Sequence, residues 1–374
     1  MNKKEILEIR KQFTPANCAL TRICGCYVDY EKNKRLQFRE SFLSLPEEEA
    51  FKYFDLFKKT LSGTVGRNLL RMSFPSTQNI SDGAQEFLLK LRGSKLEDDE
   101  LLDEFYDKII EHYVFAENYY IVLVHGVYDI PKRTSDGMEL YDASDEMYEY
   151  ILMSICPVSL SKAGLSYDAK DNCIRERPRD WLVEMPEQGF LFPAFTDRST
   201  NIHEAVYFTK KTQELQEDLL EELFGGQIPI AIAEQKELFR LIVEDTLEEE
   251  RTYETVRNIH QELHGMLAEH KEEPEPLVLD KKDVKKVLEK SGVPHEKLEH
   301  FEQYFDENAG EDASFLAMNI TETKKLQIET PDLLIRVNPE RMDLVETKMI
   351  DGRKCLVIVV DDSLEVNGMD VRTM

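Results

Sequence analysis

Two histidines four residues apart, in His260-Gln261-Glu262-Leu263-His264, make the nearest approach in this chain to a metal-binding motif. At that spacing both rings share one helix face, as metal ligands must. A zinc protease of this type places a glutamate directly after the first histidine or directly before the second. Glu262 instead stands two residues from each, about 200° around the helix by the geometry of 3.6 residues per turn. It cannot act on a water bound by both, and the pattern reads as a polar helix face with two ordinary histidines. Cys18, Cys24 and Cys26 offer a second ligand cluster, but lack paired C-x2-C knuckles and a nearby histidine. Alternation along Ile23–Val28 puts Cys24 and Cys26 on one strand face, which suits small apolar residues on a buried surface. No metal and no cofactor is expected.

The stretch WLVEMPEQGFLFPAFTDRSTN, residues 181–201, is the richest in groups that could meet a ligand. It joins the chain's one tryptophan, Trp181, and three phenylalanines to Asp197, Arg198, Ser199, Thr200 and Asn201. An aperiodic segment of this kind often lines a pocket or an interface. The alternative is an irregular loop over the core, with Asp197 capping the next element and pairing with a base such as Arg198. Gly63-Thr64-Val65-Gly66-Arg67-Asn68 is a short basic GxxG loop of the kind that can turn backbone N–H groups toward phosphate. With Arg71 it makes Gly63, Gly66, Arg67 and Arg71 candidate anion ligands. A helix end followed by a turn explains the same residues. Nucleophile elbows, kinase signatures and a dinucleotide fingerprint do not occur in the sequence.

The charge distribution bounds what the chain can touch. Residues 1–72 carry 14 Lys and Arg against 9 Asp and Glu, whereas residues 73–276 carry 19 against 44. The whole chain is at −27. A surface this acidic repels polyanions, so nucleic acid could be met only through the basic N-terminal segment. Six sparse cysteines with no framework spacing suit a reducing compartment. The longest apolar runs fall short of a membrane span, and the opening MNKKEILEIRKQF lacks the apolar core of a secretory signal. The expected setting is the cytoplasm, with no membrane partner.

The elements that must position these residues are predicted from periodicity. The reading gives a helix at 3–12, a hairpin over 23–30 and 35–42, a helix from Pro46 to about Ser62, and a short strand at 68–74. Helices follow at 81–91 and 98–114, then an apolar, central strand at 118–127. The apolar run 147–160 is expected to break or become an edge at Pro157, and 165–174 forms a hairpin. Residues 181–199 have no clear period, 205–209 is a strand, and 212–270 is mostly helical. The proline-rich, charged segment 271–276 reads as a linker. A helix pair and short strands follow, with Asp351-Gly352 as a two-residue turn. The expected architecture is α+β with a largely antiparallel sheet. A main domain spans 1–270, mostly helical over 211–270, and a small α+β module spans 277–374.

Four stretches carry a resemblance over nearly the full length: KKTLSGTVGRNL (58–69), YILMSICPVSLSKAGLSYDA (150–169), GFLFPAFTDRSTN (189–201) and TPDLLIRVNPERMDLVETKMIDGRK (330–354). On them the chain resembles a family of uncharacterised proteins from Firmicutes, many from gut bacteria, grouped as a domain of unknown function. The resemblance implies a bacterial, cytoplasmic setting and brings no catalytic residue or cofactor with it. The leading functional expectation is a non-enzymatic interaction or regulatory protein whose partner is a protein. The alternatives are an enzyme with a site around 197–201, and a nucleic-acid binder acting through the basic N-terminal segment. Partner identity and oligomeric state stay open.

Overall fold

Asn2 starts the first helix with a reciprocal cap. Its side chain accepts from the Lys4 and Glu5 N–H groups at 2.9 and 3.1 Å, and Glu5 Oε2 accepts the Asn2 N–H at 2.7 Å. From there the computed structural model describes residues 1–75, 83–133, 139–140, 146–225, 228–311, 313–321, 325–360, 364–366 and 368–371. Gly226, residues 134–137 and Asp361-Asp362 lie outside these. The chain divides into two units, 1–231 and 232–374.

The first unit runs α1 (Lys3–Arg10), β1 (Leu20–Val28), β2 (Lys34–Ser41), α2 (Glu47–Thr60), β3 (Leu69–Ser73), α3 (Ala84–Gly93), α4 (Asp99–His112) and β4 (Tyr119–Asp129). It continues through β5 (Lys132–Arg133), β6 (Glu139–Leu140), β7 (Met147–Leu160), β8 (Leu165–Asp168), β9 (Cys173–Glu176) and β10 (Trp181–Val183). It closes with β11 (Gln188–Phe192), β12 (Ala194–Thr196), β13 (Ser199–Asn201), β14 (Glu204–Thr209) and α5 (Glu217–Phe224). The main sheet has the order β2-β1-β4-β7-β11-β14-β3, antiparallel at every pairing, with β10 beside the end of β7. With the helices, this is the α+β architecture expected.

Helices cover both faces of the sheet. Cys24, Ile121, Met153, Phe190 and Tyr207 point to one face and pack with Leu88 of α3, Phe105 of α4 and Leu220 of α5. Ile23, Val122, Leu152, Leu191 and Val206 point to the other, against Ile6 of α1 and Phe54 and Phe57 of α2. Burying each such side chain contributes roughly 1.5–3 kcal/mol. Two covered faces explain why β4 and β11 show no apolar–polar alternation. They also explain why Gln188–Phe192, in a stretch of sequence without a clear period, is a buried strand of the main sheet. Cys24 and Cys26 are buried on one face as read, and burial pushes both thiols up to about 12.

Pro157 neither breaks nor edges its strand. β7 continues through it because its neighbour changes there: β11 pairs with Ile151–Ile155, and β10 pairs with Val158–Leu160. The missing proline N–H falls in the gap between the two, and the Pro157 carbonyl accepts the Glu184 N–H at 2.8 Å.

Part of the basic character of the N-terminal segment is paired within the fold. Arg22 pairs with Glu97 at 2.5 Å, and Arg39 with Asp99 at 2.7 Å. Lys34 reaches Asp103 at 2.5 Å and Asp107 at 2.7 Å. The β1–β2 hairpin thus presents its cations to the acidic start and outer face of α4.

The second unit contains α6 (Ile232–Leu247), α7 (Tyr253–Glu269), β15 (Val278–Leu279), α8 (Lys281–Lys290), α9 (His295–Leu298), α10 (Phe301–Ala309), β16 (Phe315–Leu316) and α11 (Ala317–Ile320). The pairs β17 (Leu326–Thr330) with β18 (Leu333–Val337), β19 (Val345–Ile350) with β20 (Arg353–Ile358), and β21 (Leu364–Val366) with β22 (Met369–Val371) follow. Phe239, Ile242, Ile259 and Leu263 of α6 and α7 share one core with Leu279, Val284, Leu288, Phe301 and Phe315. The division therefore falls at 231/232, ahead of the charged segment 271–276 where the sequence reading placed it. The apolar stripes of α6 and α7 find their partners downstream. Asp280 caps α8, accepting the Asp283 N–H at 2.8 Å. Asp351 and Gly352 take φ of 49° and 75°, as a tight hairpin turn requires.

Candidate functional site

Gly25 lies in β1 with Phe38 of β2 on one side and Val122 of β4 on the other. Tyr27, two residues on, faces the same way, opposite Leu36 and Tyr120. These strands form the floor of a groove of about 470 Å³. Its walls are Glu49 and Tyr53 from the first two turns of α2, Glu40 from the end of β2, Val158, and Trp181 and Val183 of β10. Aromatic side chains dominate: Tyr27, Phe38, Tyr53, Tyr120 and Trp181. Phe38 and Tyr120 stack with ring centroids 6.4 Å apart. The Tyr53 and Tyr120 hydroxyls are 3.2 Å apart, and Asn118 Nδ2 donates to the Tyr27 hydroxyl at 2.9 Å. Trp181 and Leu36, 56% and 57% exposed, stand at the mouth.

The electrostatics of the groove are negative. Burial pushes the Tyr53 hydroxyl up, and the Glu49 and Glu40 carboxylates add to the rise. Burial holds Tyr120 well above its ordinary value. Both phenols stay neutral near pH 7, while the two glutamates face the groove with no paired cation among the described residues. Ring faces present negative potential to a cation, so rings and carboxylates act in the same direction.

The other candidates from sequence sit elsewhere. Asp197 and Arg198, with φ of 52° and 57°, are the two turn residues of the β12–β13 hairpin. They border a wider cleft of about 1310 Å³ along α1. The Asp197 N–H donates to Glu5 Oε1 at 2.7 Å, and Arg198 bridges Glu8 at 2.7 Å and the Pro131 carbonyl at 2.8 Å. Ser199 Oγ donates to the Thr196 carbonyl at 3.0 Å, and Asn201 Oδ1 accepts the His203 N–H at 3.1 Å. The contacts to Glu5 and Glu8 fasten the hairpin to α1, while those of Ser199 and Asn201 are local to the hairpin. Trp181 is not with them; it belongs to the aromatic groove.

In the Gly63–Asn68 loop the backbone donors turn inward. The Gly66 N–H goes to the Leu69 carbonyl at 2.8 Å, and those of Arg67 and Asn68 go to the Thr64 carbonyl at 3.1 and 2.8 Å. The Thr64 N–H goes to Asn68 Oδ1 at 3.2 Å. Arg71 faces Glu204 at 3.5 Å. A phosphate would have to displace these bonds.

His260 hydrogen-bonds to Thr321 Oγ1 at 2.9 Å, and burial, with His264 and Lys236 nearby, lowers its pKa to about 4. No group of three or more His, Cys, Asp or Glu among the described residues is placed to hold a metal ion.

One constellation escaped the sequence reading. Thr21 is the extra residue of a β-bulge in β1, and its Oγ1 lies 2.6 Å from His125 Nδ1. His125 Nε2 lies 2.9 Å from Glu149 Oε1. Nothing local links Thr21, His125 and Glu149, which come from three strands. Burial lowers the His125 pKa, partly countered by Glu149. None of the three borders the groove or the α1 cleft. The groove residues did leave a trace in sequence: Leu36, Phe38 and Glu40 alternate on one strand, opposite a glycine and a tyrosine at 25 and 27.

No helix of the described residues is long and apolar enough to cross a membrane. No curated protein and no solved structure matches the chain. A family described as a domain of unknown function (DUF4317) matches residues 1–369, and the chain belongs to that family.

Proposed function

We propose that this is a non-enzymatic binding or regulatory protein of the cytoplasm, and that the groove between the β1–β2 hairpin, α2 and β10 is its recognition site for a cationic ligand. The observation that carries the reading is the convergence of five aromatic rings with two carboxylates lacking a cation partner. Such a surface binds cations through the ring quadrupole and through charge together. The overall charge of −27 favours the approach of a cation as well. The test is a thermal-shift series with small organic cations against wild type and a Glu40→Gln/Glu49→Gln variant. A saturable rise in melting temperature in wild type alone supports the reading. No rise with any cation, or the same rise in both proteins, contradicts it.

Thr21, His125 and Glu149 favour a second reading, an enzyme. A hydroxyl, an imidazole and a carboxylate in series resemble a nucleophile, its base and an orienting group. Covalent labelling of Thr21 by a phosphonate ester, lost in His125→Ala, would support that reading; an unlabelled Thr21 would dismiss it.

A further inference from the structure

We infer that the ligand of the groove is a free aliphatic polyamine, a chain of methylenes carrying primary or secondary ammonium groups. The inference rests on the binding reading above and adds the chemical class. Three observations point to it. The groove holds two carboxylates, Glu40 on β2 and Glu49 on α2, so it is matched to more than one positive charge. The polar atoms at its walls are acceptors as well as donors: the carboxylates accept only, and the Tyr53 and Tyr120 hydroxyls, which face each other at 3.2 Å, have lone pairs to spare. A quaternary ammonium cannot donate to them, whereas a primary or secondary ammonium donates two or three hydrogen bonds. Finally, at about 470 Å³ the space suits a chain better than a single compact head group.

The flat faces of Trp181, Tyr27 and Phe38 are suited to the methylenes. Val158, Val183 and Leu36 extend the apolar wall. An amine chain would lie with its carbons on the rings and its nitrogens toward Glu40, Glu49 and the Tyr53 hydroxyl. Gly25 lets Phe38 and Tyr120 settle onto β1 as the aromatic floor, since a Cβ there would lie 2.3 Å from Phe38 Cε1 and 2.5 Å from the Tyr120 hydroxyl.

Calorimetry of the full-length protein with spermidine, choline, an uncharged diol of spermidine's length and trilysine tests this. The expected result is saturable binding of spermidine, weaker binding of choline and trilysine, and none of the diol. Glu40→Gln/Glu49→Gln should weaken spermidine roughly tenfold or more, as loss of charge-assisted hydrogen bonds does. Both glutamates are exposed, so the double variant should fold as wild type, which its melting curve checks. Tyr53→Phe gives an independent, smaller loss. Choline binding more tightly than spermidine would overturn the polyamine while leaving the cation site standing. Trilysine binding more tightly would overturn the free polyamine in favour of a lysine-bearing protein. Binding of none of them would overturn both the polyamine and the cation site.

Discussion

The ring of Phe38 occupies the space in which a side chain at Gly25 would stand: a Cβ there would lie 2.3 Å from Phe38 Cε1. Real Cβ contacts are not this short, so Gly25→Ala must push the ring out of place or part β1 from β2. Such overpacking costs about 1–3 kcal/mol. Chemical denaturation should show that loss, and the same variant should lose ligand binding at the groove. A variant that kept both stability and binding would mean the ring moves freely.

Arg198 ties the β12–β13 turn to α1 through Glu8 and to the Pro131 carbonyl. Removing it leaves Glu8 with the Tyr128 hydroxyl, 3.0 Å away. Arg198→Ala should destabilise the protein by about 2 kcal/mol, the range for losing a partly buried charged hydrogen bond. Ligand binding at the aromatic groove should not change. A loss of binding without a loss of stability would return the functional site to residues 197–201.

Lys34 joins β2 to Asp103 and Asp107 of α4. Its side chain is largely buried, but both acids are more than half exposed, so Lys34→Ala should cost about 1 kcal/mol and no more. The loss should shrink in high salt. In a cycle with Asp103→Ala, urea denaturation should give a coupling of the same size; no coupling would mean that solvent screens the pair completely.

His260 gives a pH dependence. Its folded pKa, about 4, lies below the ordinary value of 6.5. Protonation is therefore easier in the unfolded chain, and stability falls with pH. The contribution is complete above about pH 6.5 and is lost as pH drops toward 4, reaching about 3 kcal/mol at most. Melting temperatures between pH 7 and 4 should fall less steeply in His260→Gln than in wild type. Parallel curves would show that the imidazole is not buried in solution.

The sequence made most of the elements legible where one face is wet or a cap is present. Asn2 and Asp280 start their helices and Asp351-Gly352 turns its hairpin through bonds between residues a few positions apart. β11 was lost because both its faces are buried and no alternation survives. The break at 231/232 was lost because the stripes of α6 and α7 do not say which partner they pack against. The sequence groups Trp181 with Asp197 and Arg198, its neighbours along the chain. Its neighbours in the groove, Tyr27, Tyr53 and Tyr120, come from two other strands and a helix. The Thr21–His125–Glu149 contact depends on a bulge, which one chain's sequence does not announce.

Trp181 is the chain's one tryptophan and stands at the mouth of the groove, so its fluorescence reports on that place alone. Titration with spermidine is therefore the decisive experiment. A saturable change in emission at one equivalent per chain is expected, absent from Glu40→Gln/Glu49→Gln. Spermidine binding that leaves Trp181 emission unchanged, or that changes it equally in the double variant, would contradict a polyamine site in the groove.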